Sequence, residues 1–260
     1  MYETITIERD ARGVAWLTLA RADKHNALSS EMIGELTDAA AVLGADEQVR
    51  VVVLSGAGKS FCAGGDLAWM RDQMAADAAT RAHEARKLAH MLKALNEMPK
   101  PLIGKIQGQA FGGGIGMISV CDVAIGVEGA KFGLTETRLG LIPATIGPYV
   151  VARMGAAKAR RVFMSARLFA AEEAVRLDLL ARAVPAEALD AAIEAEIAPY
   201  LSCAPGAVAQ AKALLGRLGT VIDDSAIEMT IEALVARWQS EEAEEGLAAF
   251  FERRTPQWAG

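Results

Sequence analysis

Residues 108–148 read GQAFGGGIGMISVCDVAIGVEGAKFGLTETRLGLIPATIGP. Three glycines stand in a row, Gly112, Gly113 and Gly114, and the apolar run Ile115 to Cys121 that follows reads as a helix. Glycine leaves backbone N–H groups uncovered, and a helix start points such groups at an anion. After a strand-like piece, Val123 to Val127, comes a carboxylate, Glu136, inside FGLTETRLG. An anion-binding turn followed by a carboxylate is an arrangement that moves protons beside a developing negative charge. The glycine run alone fits a tight turn with close helix–strand packing equally well.

Working upstream, Leu102 to Ile106 reads as a strand, preceded by a long helical region from about Ala76 to Glu97 that Pro99 and Pro101 end. Ser55 to Gly65, SGAGKSFCAGG, is a second glycine-rich loop, and it follows Val51-Val-Val-Leu54, a β-branched run of the kind found in buried parallel strands. Ser29 or Ser30 caps a helix whose apolar positions Met32, Ile33, Leu36, Ala39 and Leu43 have helical spacing. Tyr2 to Arg9 and Val14 to Leu19 flank Gly13 as a hairpin. Strands alternating with helices predict βαβ-like units and a parallel sheet, an α/β fold. Two glycine loops after successive strands meet at the carboxyl edge of such a sheet, where ligands bind and where N–H groups from separate loops form an oxyanion hole.

Downstream of Ala156 the pattern is read as wholly helical: Ala157 to Met164, Ala171 to Leu177, Pro185 to Leu201, Pro205 to Gly216 and Ile222 to Arg254. A boundary near residue 195 divides a core of residues 1–195, carrying the active site, from a helical region of residues 196–260 for oligomerisation and site cover.

The chain has 260 residues, 52% of them hydrophobic, and a net charge of −6. It carries no basic stripe of the nucleic-acid-binding kind. Three widely spaced cysteines without a CxxC pair suit a reducing compartment, and three histidines form no recognisable ligand set, so no metal is expected. Gly56-Ala-Gly-Lys59 lacks the spacing that lets a P-loop wrap phosphates. No run approaches a membrane span, and MYETITIERD lacks a signal-peptide core. A cytoplasmic protein with no nucleic-acid or membrane partner is the expectation.

Taken together, SFCAGGDL at 60–67, GQAFGGGIGM at 108–117 and FGLTETRLGLIP at 132–143 resemble the crotonase superfamily of enoyl-CoA hydratases and isomerases. The resemblance extends to KHNALSSEM and EGLAAFFERRTP, and so covers essentially the whole chain. GLIPATIGPYVVARMG over 140–155 resembles the bacterial methylglutaconyl-CoA hydratase group, which more often has Ser where Gly147 stands. The implied fold is a crotonase-like ββα spiral with a helical C-terminal trimerisation region, assembled as a homotrimer or homohexamer.

The resemblance also assigns roles. The N–H groups of Gly65 and Gly113 would hold a thioester oxygen, and Glu136 would be the acid/base. A surface helix cap or an ion pair with Arg138 is the non-catalytic alternative for Glu136. Lys24, Ala27, Ala63, Asp66 and Leu67 would surround coenzyme A, which is part of the substrate, so no separate cofactor is implied. Lys24 reads equally as a solvated loop residue. Trp69, Met70, Gly116, Leu141 and Tyr149 would shape the acyl pocket, with core packing the competing reading for the large ones. Phe250 and Arg253 would touch the coenzyme A of a neighbouring subunit. Two-carboxylate hydratases of the superfamily carry Glu two residues after the glycine run, where this chain has Gly116. The implied activity is hydration of a 2-enoyl-CoA, with 3-methylglutaconyl-CoA in leucine breakdown as the implied substrate and pathway. The alternatives are a Δ3,Δ2-enoyl-CoA isomerase and a non-catalytic acyl-CoA- or RNA-binding member of the fold.

Overall fold

The computed structural model describes residues 2–259. Strands β1 (Ile5–Arg9) and β2 (Val14–Leu19) pair antiparallel, as the alternation and Gly13 predict. Helix α1 (Ser30–Ala45) follows. Ser29 caps it by accepting from Met32 N, and the five apolar positions singled out by spacing are all buried. The chain then alternates between two sheets. Strand β3 (Val51–Gly56) enters the large sheet and β4 (Ser60–Cys62) the small one.

Helices α2 (Leu67–Ala75) and α3 (Ala78–Glu97) come next, then β5 (Leu102–Ile106) and β6 (Gln109–Phe111). Helix α4 (Gly113–Val120) leads to β7 (Val123–Val127) and β8 (Lys131–Gly133). The large sheet has the order β1-β2-β3-β5-β7-β10 and the small one β4-β6-β8-β9. Apart from the β1/β2 and β8/β9 pairs, all neighbours run parallel. This is the mixed α/β architecture expected.

The second half departs from the wholly helical expectation. Helix α5 (Gly147–Ala159) starts ten residues earlier than Ala157, with Pro148 in its first turn where a missing N–H costs nothing. Two short strands, β9 (Phe169–Ala170) and β10 (Arg182–Val184), flank α6 (Ala171–Arg176) and extend the two sheets. Helix α7 (Leu189–Leu201) runs unbroken through residue 195, and its Leu189, Ile193 and Ile197 all join the main core. Beyond it lie α8 (Pro205–Leu218), α9 (Asp224–Trp238) and α10 (Glu241–Glu252). The sequence pattern over Ile222 to Arg254 predicts one helical stretch, but Ser240 accepts from Ala243 N and starts a new helix. None of these helices is long and apolar enough to cross a membrane.

Candidate active site

Strands β4, β6 and β8 lie side by side and parallel, so their carboxyl ends share one edge. The loops leaving that edge are Ala63–Gly65, Gly112–Gly113 and Leu134–Glu136, the three segments that carry the sequence motifs. They meet closely. A Cβ on Gly112, whose φ is +48°, would lie 3.1 Å from Glu136 Oε1 and 3.9 Å from Gly64 Cα. Gly112 N donates to Gly133 O at 3.0 Å, which fastens the second loop to the third. A cavity of about 440 Å³ opens there, lined by residues of all three loops.

The first loop is held so that one amide stays free. Leu28 N donates to Gly64 O at 2.8 Å and Asp66 N donates to Leu28 O at 3.0 Å. Gly65 N–H, between them, has no acceptor among the described residues. Gly113 is the first residue of α4, so its N–H has no intrahelical acceptor, and the described residues supply no other. Two unpaired donors therefore stand at one cavity, as an oxyanion hole requires.

The ion pair Arg21–Asp66, at 2.8 Å, locks this loop from behind. Arg21 also donates to Ala27 O at 2.6 Å, while Asp66 caps α2 by accepting from Ala68 N at 2.8 Å. Burial alone would raise the Asp66 carboxyl, but Arg21 and the helix amides outweigh it and hold it below the usual range. Asn26, fully buried with φ +53°, donates to Ala57 O and Ser60 O and ties the preceding turn to the sheet.

Glu136 opens a 3-10 turn, Glu136–Leu139, and faces the cavity. Its Oε2 is buried without a hydrogen-bond partner among the described residues. Desolvation pushes its carboxyl up to about 7, opposed only by a backbone hydrogen bond. Arg138 is exposed at the cavity rim and donates to Ala166 O at 3.1 Å. Among the described residues no ion pair joins it to Glu136, whose Oε2 has no partner.

The C-terminal helices form the far wall. Leu234, Trp238 and Phe250 line the cavity. Arg237 donates to Gly140 O at 2.6 Å, just past the Glu136 turn. Gly246 lies so near the same turn that a Cβ there would be 2.5 Å from the Leu139 carbonyl carbon. Arg81 joins the walls to each other. It donates to Gln73 O and Met74 O at the end of α2 and lies over the Trp238 ring at 5.5 Å.

Such a site can stabilise an oxygen anion and transfer protons with a single carboxyl group. The sequence model of the family described as "Enoyl-CoA hydratase/isomerase" matches residues 9–260. The chain belongs to that family. It is 34% identical over 260 residues to "Probable enoyl-CoA hydratase echA8" of Mycobacterium bovis, covering 99% of this chain and 98% of the other. It is 30% identical over 255 residues to the crotonyl-CoA hydratase of Syntrophomonas wolfei, covering 97% and 96%. Among solved structures, an enoyl-CoA hydratase from Shewanella pealeana superposes with a TM-score of 0.82 at 40% identity, over 99% of this chain and 97% of that one.

Family membership makes an acyl-CoA the substrate, and the expected residues divide into two groups. Gly65, Gly113, Glu136, Ala63, Leu67, Trp69, Met70 and Leu141 all line the cavity. Lys24 is exposed on the loop leading to Leu28, with Ala27 buried beside it, and neither faces the cavity. The Asp66 side chain is taken up by Arg21 and α2. Two pocket-wall expectations need correction. Tyr149 is 2% exposed in the main core, its hydroxyl turned to Ala89 O at 3.5 Å. Gly116 is buried behind Ile146, and it is Ile146 that faces the cavity.

Phe250 reaches the cavity of its own chain, whereas Arg253 forms the exposed left-handed end of α10. Thr145, Ile146, Leu234 and Trp238 line the site without having been singled out. Thr145 and Ile146 stand inside the GLIPATIGP motif, so proximity in sequence to Glu136 was an available signal. Nothing local marks Trp238.

Proposed function

We propose that the chain adds water to the double bond of a 2-enoyl-CoA. The observation that carries this reading is Glu136 Oε2, buried and unpaired beside the free N–H groups of Gly65 and Gly113. In this reading the thioester oxygen lies between the two N–H groups, and Glu136 takes a proton from water. The oxygen of that water bonds to Cβ, and the π electrons move through Cα to the thioester oxygen as an enolate. The carboxylic acid so formed returns the proton to Cα. The fixed donors favour the enolate over the ground state, and losing one such donor typically costs about 10²–10³ in rate.

The bacterial methylglutaconyl-CoA hydratase pattern over residues 140–155 makes 3-methylglutaconyl-CoA the first substrate to test, and leucine breakdown the pathway. Isomerisation of a 3-enoyl-CoA is the second reading, favoured by Gly116, which leaves Glu136 as the single carboxylate lining the cavity among the described residues. We assign the apolar residues left exposed on α8 and α9 to contacts between copies in a trimer or hexamer, and Lys24 and Ala27, outside the cavity, together with Ala63 at its wall, to the coenzyme A side.

The test is a panel of straight and branched enoyl-CoA esters, with water addition and double-bond migration scored separately. Hydration of a branched 2-enoyl-CoA is the expected result. Migration without hydration would replace the first reading by the second.

A further inference from the structure

Adding water across a double bond requires the water to be held, as well as deprotonated. A bound water typically has two to four polar partners. Here the position of a second carboxylate is closed. Gly116 carries no side chain, and Ile146 Cγ2 would lie 2.6 Å from a Cβ placed on it. With Glu136 taking one proton of the water, its other O–H needs an acceptor on a different wall.

The loop that brings in Ile146 also brings in its neighbour, Thr145. Thr145 is only 5% exposed, and it lines the same cavity as Glu136. Its hydroxyl makes no hydrogen bond among the described residues. A buried hydroxyl without a protein partner costs free energy unless something enters to bond it. The other free hydroxyl on the cavity wall, Thr135, adjoins Glu136 in the chain and so stands on the base's own side.

We propose that Thr145 is a further catalytic residue, whose hydroxyl accepts a hydrogen bond from the water that Glu136 deprotonates. The inference rests on the hydratase reading above. Thr145 neither gains nor loses a proton in the step. It fixes the water's second O–H, so that the oxygen lone pair left by deprotonation points at Cβ. The pair Thr145–Ile146 thus does with a neutral hydroxyl what a carboxylate at residue 116 would do with a charge.

The test measures kcat and KM for hydration in Thr145→Val, Thr145→Ser and Thr135→Val, alongside the affinity of a saturated acyl-CoA. Valine keeps the shape of threonine and loses the hydroxyl, whereas serine keeps the hydroxyl and loses the methyl. The expected result is that Thr145→Val lowers kcat by about tenfold to a hundredfold with saturated acyl-CoA affinity nearly constant, and that Thr145→Ser restores most of the rate. The reverse order, with valine active and serine impaired, would mean the residue serves packing and would overturn the proposal. So would a larger loss in Thr135→Val. Wild-type protein that hydrates no ester of the panel would instead bring down the hydratase reading itself, and the role of Thr145 with it.

Discussion

Gly116 and Ile146 exclude each other's side chains: a Cβ at residue 116 would come within 2.6 Å of Ile146 Cγ2, 3.1 Å of Ile146 Cβ and 3.4 Å of Leu92 Cδ1. Ile146 is 3% exposed and packed into the main core, so it cannot give way freely. Gly116→Glu alone is therefore expected to overpack the site, at a cost of about 1–3 kcal/mol, and to leave crotonyl-CoA hydration no better than wild type. Gly116→Glu with Ile146→Ala restores room, and straight-chain hydration is expected to rise. Steady-state kinetics with thermal melts on both variants decides the matter. A stable single variant with raised hydration would show that Ile146 is not the obstacle.

Glu136→Gln is expected to lower turnover by about 10²-fold or more while a saturated acyl-CoA still binds. A variant that retains near-normal hydration and isomerisation would move the base elsewhere.

The same residue links stability to pH. With its carboxyl raised from 4.5 to about 7 by burial, the folded state keeps the proton longer than the unfolded state. Stability from this group is complete below the unfolded value, falls as pH rises from 4.5 towards 7, and is lost above 7, by roughly 3 kcal/mol in all. Glu136→Gln removes that loss, so the variant's stability relative to wild type should improve between pH 5 and pH 8. Denaturant titrations at the two pH values that give an equal difference would show the carboxyl to be solvated. In wild type, kcat/KM should climb through about pH 7 as the base form appears.

Asp66→Ala removes a helix cap and leaves Arg21 without its partner in a largely buried place. A loss of about 1–3 kcal/mol is expected. Because the same carboxylate braces the Gly65 loop, kcat should fall more than the affinity for a saturated acyl-CoA. Equal losses in both would confine the pair to stability.

Leu215, Leu218 and Met229 are 68%, 73% and 63% exposed on α8 and α9. Large apolar groups left this open are the basis for the proposed contact between copies. Light scattering at micromolar concentration should give the mass of three or six chains, and Leu215→Glu with Leu218→Glu should reduce it. A wild-type monomer would remove the proposal.

How much of this was legible in the sequence depended on how local its cause was. The β1/β2 hairpin, α1 and strands β3, β5 and β7 follow from alternation, a serine cap and β-branched runs, all readable from local sequence. Helix α2 was hidden because its buried positions are few, Met70 and Gln73, and its start depends on the Asp66 cap. Strands β9 and β10 have two and three residues, too short for any period to show, and exist because a sheet edge was waiting for them. At the site, motif glycines and Glu136 could be placed because one sheet edge gathers them. For Tyr149 the structure has the core-packing reading, because a helix that begins at Gly147 turns its hydroxyl towards α3. Trp238 was missed because it is about a hundred residues from Glu136 in the chain, and only the return of α9 brings the two to one cavity.

The near-contact of Gly246 with the Leu139 backbone has a consequence for synthesis. A ribosome delivers the chain from its first residue, so both sheets and the three motif loops emerge well before α10 does. A nascent protein can thus complete its spiral with the acyl cavity still unroofed and the Glu136 turn unsupported on one side. Catalytic competence should arrive late and abruptly, when the final helix slots its one side-chain-free position against residue 139. Gly246→Ala is expected to push α10 off the Glu136 turn and lower turnover more than stability, which steady-state kinetics beside a thermal melt checks.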